Sequence, residues 1–101
     1  MSFMLDARLA ADSHPIGDLA LSGLRLMDDA RCPWLILVPR IAGERELVDL
    51  DAGDRGALLD EITAVGRALE LELQPDKLHI AALATVVAQL HVPVIPRYRS
   101  D

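Results

Sequence analysis

The stretch Gln89-Leu90-His91-Val92-Pro93-Val94-Ile95-Pro96-Arg97 sets one histidine among strand-forming residues. On a strand, side chains two apart share a face. Gln89, His91 and Pro93 therefore point one way, and Leu90, Val92 and Val94 pack the other. A neutral imidazole held by a hydrogen bond at its other ring nitrogen is a competent nucleophile on phosphorus. Polar neighbours on that face would bind phosphate oxygens and help protonate the leaving group. Gln89 offers an amide donor but no acid, and Pro93 offers no donor at all. The competing reading makes His91 a structural histidine on a sheet face, because a lone histidine is common.

The other reactive residue types give weaker signals. His14, in Ser13-His14-Pro15, reads as part of a solvated loop. His79 reads as a surface or packing histidine that could face the same pocket as His91. Three histidines without cysteine or carboxylate partners at ligand spacing make a poor metal site. Cys32 has only Arg31 as a basic neighbour and reads as an inert thiol. Arg40 follows Val38-Pro39 and reads as a strand-end charge. Ala42-Gly43-Glu44 lacks the glycine spacing and the lysine of a phosphate loop.

Several elements must position these residues. Leu5 and Leu9, four apart, suggest a short helical turn over 5–12. Ser13 to Asp18 reads as turn and loop. Leu19, Leu21, Leu24 and Leu26 suggest a strand broken at Ser22-Gly23. Asp28-Asp29-Ala30-Arg31 reads as a hairpin connection into the strand Trp34 to Val38. Residues 51–72 give the clearest pattern: Asp51 can cap a helix, and Leu58, Ile62, Val65 and Leu69 form an apolar stripe. Asp60, Glu61 and Arg67 lie off that stripe. Gln74-Pro75-Asp76-Lys77 reads as a turn before two strands, Leu78 to Leu83 and Leu90 to Ile95. Pro93 argues against a central position for the second. Strand, strand, long helix, strand, strand is the order of an α+β fold with an antiparallel sheet.

With 101 residues, the chain suits one small domain, whose core must be aliphatic because aromatics are only 3%. A net charge of −6 argues against a general nucleic-acid or anionic-membrane surface. A lone cysteine forms no internal disulfide, so a reducing cytoplasm is expected. The opening MSFMLDARLAADSHP carries acids and does not read as a signal peptide, and no apolar run has the length of a membrane span.

The run from Gln89 to Arg97 resembles the signature of the histidine triad (HIT) family. That family hydrolyses or transfers nucleotidyl groups through the middle histidine of an H-x-H-x-H strand. Here His91 keeps the middle position, Gln89 stands first and Pro93 third. LMDDARCPWLILVPR (26–40) resembles the paired strands of bacterial HIT-like proteins, ELVDLDAGDRGALLDEI (46–62) their helix start, and KLHIAALATVVAQLHV (77–92) their last two strands. Family members usually carry Asn and Gly leading into the histidine strand, where this chain has His79, Ala84 and Thr85.

The resemblance implies a HIT-like α+β domain over residues 1–101, an antiparallel sheet with one long helix and a short N-terminal helix. It implies a small-molecule nucleotide as ligand, His91 as nucleophile, and Gln89, Arg97, His79 and Thr85 as candidate contacts. No cofactor or metal is implied, and a homodimer is expected. The activity implied is nucleotide hydrolysis or nucleotidyl transfer. The alternative is a non-catalytic nucleotide-binding or dimerisation module.

Overall fold

The computed structural model describes residues 3–43, 46–84 and 87–100. Helix α1 (Ala7–Asp12) leads into β1 (Ser13–Asp18), β2 (Ser22–Met27) and β3 (Leu35–Pro39). A short 3-10 turn at Leu47–Asp49 precedes the long helix α2 (Ala52–Leu73), and β4 (Lys77–Ile80) and β5 (Val92–Arg97) complete the order. All strand pairs are antiparallel, and the sheet runs β1-β2-β3-β5-β4. The expected α+β class holds. No helix among the described residues is long and apolar enough to cross a membrane.

Strand alternation sorts the core into two layers. On one face Leu24, Leu35, Leu37, Leu78, Val92 and Val94 pack against Leu58, Ile62, Val65 and Leu69 of α2. On the other face Ile36 and Val38 pack with Leu9 of α1, Val87, Phe3, Leu5, Met27 and Trp34. The helix stripe is therefore core, as its spacing predicts. Asp51 caps α2 through its carboxylate, which accepts the Asp54 N–H at 2.8 Å. Gly66 sits where α2 crosses β4: a Cβ there would stand 3.2 Å from Leu78 Cδ1. Its weak helix propensity is offset by that close approach.

Two readings need correction. Ser13 to Asp18 is a strand, and Leu19 to Leu21 form the turn, with Leu19 N–H donating to Ser22 O at 2.8 Å. The sequence hid β1 because it is an edge strand with a bulge between Pro15 and Gly17 and an exposed face, so it shows no apolar alternation. Glu61, read as lying off the apolar stripe, stands three residues after Leu58 and four before Val65 and is buried, and its carboxylate accepts Leu21 N–H at 2.7 Å and Ser22 N–H at 3.1 Å. It ties α2 to the β1–β2 turn.

Candidate functional site

The histidine strand lies inside the sheet, between β3 and β4. Pro93 is thus in a central strand, contrary to the expectation from its missing donor. In an antiparallel pair a residue's N–H and C=O point the same way. Pro93 O accepts from Ala81 N at 3.4 Å, so the missing donor faces Ala81. The β4–β5 ladder breaks there: it ends at Ile80–Val94 and resumes only at the Leu83–His91 bridge. Pro96 lacks its donor on the β3 side, and the register running from Leu37–Val92 to Leu35–Val94 would next oppose it to Pro33, another residue without one. Each proline therefore sits where one ladder stops.

His91 is half-buried, and its backbone exchanges hydrogen bonds with Leu83 at 2.9 and 3.1 Å. Its Nδ1 lies 2.9 Å from the carbonyl oxygen of Gln89. A carbonyl only accepts, so this contact requires the proton on Nδ1 and leaves the Nε2 lone pair available in the neutral ring. Leu90, Val92 and Val94 face α2 in the core, so His91, Pro93, Ile95 and Arg97 share the opposite, α1-side face. The side chain of Gln89 is engaged elsewhere: its Oε1 accepts Asp6 N–H and its Nε2 donates to Met4 O, both at 2.8 Å.

Farther along the same face, Ile95 and Arg97 line a cavity of about 270 Å³ with Asp29, Arg31, Cys32 and Trp34. Asp29 organises it. Its carboxylate accepts Arg31 Nε and Nη2 at 3.0 and 2.9 Å, the Arg31 backbone N–H at 3.0 Å and Trp34 Nε1–H at 3.1 Å. The Arg31 side chain first, then its backbone N–H and the Trp34 indole, hold the Asp29 carboxyl far below the usual carboxylate range. Asp29 in turn raises the Arg31 pKa.

A folded pKa below the unfolded one gives a contribution that is complete above the ordinary carboxylate value, about 3.9, and is lost as pH falls through the folded value. Fluorescence of Trp34, the only tryptophan, should therefore hold steady from neutrality through that ordinary range and change only in stronger acid. A transition centred near pH 4 that Asp29→Asn removes would contradict this assignment.

The family model for the HIT domain matches residues 8–100. The chain belongs to the HIT domain family. Three solved structures of bacterial histidine triad proteins resemble it over nearly all its length. The Bradyrhizobium japonicum protein is 44% identical, with TM-score 0.97, covering 100% of this chain and 75% of that one. The Sinorhizobium meliloti protein is 44% identical, with TM-score 0.95 and coverage of 98% and 73%. The Marinobacter aquaeolei protein is 40% identical, with TM-score 0.97 and coverage of 100% and 74%. No curated protein matches.

In this HIT domain the candidate contacts are spread along the sheet. Arg97, six residues from His91, lies about 20 Å away along the strand. His79 is exposed and pairs with Ile95, so it shares the His91 face but stands beside the cavity end. Thr85 lies outside the described residues. His14 is on β1, exposed, with Nε2 3.9 Å from Asp28 Oδ2. Arg40 holds the β1–β2 turn through Leu19 O at 2.7 Å and Ala20 O at 3.2 Å. Sequence reasoning missed Asp29 and Trp34 as cavity residues. The available signal was the lone tryptophan, whose N–H needs an acceptor when partly buried.

Proposed function

We propose that this HIT domain binds a nucleotide along the α1-side face of β5 and hydrolyses or transfers its nucleotidyl group through His91. The observation that carries this reading is the Gln89 carbonyl 2.9 Å from His91 Nδ1, which leaves Nε2 as a lone-pair nucleophile. Attack by Nε2 on phosphorus forms a P–N bond as the leaving group departs with its electron pair and takes up a proton from solvent. Water, or another acceptor, then attacks the same phosphorus, gives its proton to solvent and returns the P–N pair to Nε2. The cavity with Ile95, Arg97 and Trp34 would take the part of the ligand remote from the reacting phosphorus, with His79 at its margin. We place the protein in a reducing cytoplasm as a homodimer, the four-residue edge strand β4 offering a short pairing edge.

Pro93 favours a second reading, a non-catalytic nucleotide-binding or dimerisation module, because the third triad position donates nothing.

Nucleotide release separates them. The protein and a His91→Ala variant are incubated with adenosine phosphoramidate and dinucleoside polyphosphates, and AMP is followed by chromatography. AMP formed only by the unmutated protein supports catalysis. No AMP from either, together with a thermal shift in AMP, supports the binding reading; AMP at a hundred times its Kd would stabilise by about 2.7 kcal/mol. Equal turnover by His91→Ala overturns the catalytic proposal.

A further inference from the structure

Gln89 makes contacts in two directions. Its amide reaches across 83 and 85 residues of sequence to grip the backbone of the N-terminal segment at both ends, accepting Asp6 N–H and donating to Met4 O. Asp6 is the N-cap of α1, and its carboxylate accepts Arg8 N–H at 2.7 Å. Residues before, within and after this grip, Phe3, Leu5 and Leu9, pack over Ile36, Val38 and Val87 on the His91 side of the sheet. The carbonyl of the same Gln89 accepts the His91 Nδ1 proton.

Position along the chain makes the coupling matter. Gln89 lies outside β5, which begins at Val92, and outside the His91–Leu83 bridge that extends it. The carbonyl that sets the imidazole tautomer thus belongs to a residue next to the sheet ladders rather than within them. The two amide hydrogen bonds anchor that residue to the segment leading into α1.

We propose that Gln89 is a positioning residue for His91: its amide clamp on Met4 and Asp6 fixes the carbonyl that holds the imidazole with its proton on Nδ1, coupling the N-terminal segment to the nucleophile. Its importance for catalysis rests on the His91 reading above, but the coupling itself concerns only the ring and is measurable without any nucleotide.

The test is long-range proton–nitrogen NMR of 15N-histidine-labelled protein at about pH 8, above the ordinary histidine range. The unmutated protein should show His91 almost wholly as the Nδ1–H tautomer. Gln89→Ala should give a mixture of the two tautomers, with amide exchange over residues 4–10 faster by roughly tenfold or more, as expected for loss of the two amide hydrogen bonds. Exchange in α2 should stay unchanged.

A second pair of variants leaves Gln89 in place, in case Gln89→Ala does not fold. Asp6→Pro removes the N–H that Gln89 Oε1 accepts, and Asp6 already has φ −56, which proline adopts. Asp6→Ala removes the same helix cap but keeps the N–H. A tautomer shift in Asp6→Pro and not in Asp6→Ala supports the clamp. A loosened N-terminal segment with an unchanged His91 tautomer overturns it, as does the same tautomer change in both Asp6 variants. Failure of AMP release with an intact tautomer response would sink the catalytic reading alone.

Discussion

Pro93→His is expected to raise the rate of AMP release by roughly a hundred- to a thousandfold over the parent protein, the usual effect of one preorganised donor at a developing charge. Position 93 is on the His91 face, two residues along, so an imidazole there would project beside that of His91. Proline contributes neither a side-chain donor nor a backbone N–H. The substitution therefore changes two things: it adds the imidazole, and it restores the N–H that faces Ala81. Pro93→Ala separates them, because it restores the N–H alone. We expect Pro93→Ala to mend the β4–β5 ladder between Ile80–Val94 and the Leu83–His91 bridge while leaving the rate at the parent level. Pro93 is buried, so the larger ring must displace neighbours, and both variants need a thermal melt beside the assay. Equal rates for the two variants would show that the site lacks more than this one donor.

Glu61→Ala is expected to cost about 3 kcal/mol of stability. Its carboxylate accepts two adjacent backbone N–H groups, Leu21 at 2.7 Å and Ser22 at 3.1 Å, across 40 and 39 residues of sequence. Removing it leaves both donors without that acceptor. Ser22 is fully buried, and each lost charge-assisted bond is worth about 1.5–3 kcal/mol before water or local relaxation restores part of it. For a domain of this length that corresponds to a Tm lower by about 12–24 °C. Glu61→Gln should fall between, since an amide presents one oxygen and an NH₂ that opposes the second donor. A loss below about 1 kcal/mol in Glu61→Ala would mean that water satisfies the turn as well as the carboxylate does. This contact is remote from His91, so on the catalytic reading AMP release by the folded fraction should be unchanged.

The comparison of Glu61 with Leu58 and Val65 shows what can be read from local pattern. Apolar spacing placed Leu58, Ile62, Val65 and Leu69 in the core, because burial of a helical stripe depends on 3.6-residue periodicity. Glu61 has the same spacing, three residues after Leu58 and four before Val65, but its charge argues against burial: a carboxylate is buried only when donors meet it, and those donors come from the β1–β2 turn some 40 residues earlier. Strand β1 escaped for a related reason. It is an exposed edge whose one buried residue, Ser13, is polar, so nothing in Ser13 to Asp18 alternates in the way a half-buried strand does.

At the candidate site, alternation along β5 correctly put His91 and Pro93 on one face and Leu90, Val92 and Val94 on the other, because the two-residue period is local geometry. The ordered motifs also carried the family, since they follow chain order. The sequence by itself thus determined the helix stripe, the face of His91 and the family to which the chain belongs. Only the tertiary structure decided that Pro93 sits between two strands, that Asp29 and Trp34 border Ile95 and Arg97, and that the Gln89 amide grips Met4 and Asp6. Each of these depends on β5 pairing with β3, or on residue 89 meeting residues 4–6, across 55 residues or more. No period in a linear sequence encodes such meetings; they are set by which buried faces and backbone donors the folded chain can satisfy together.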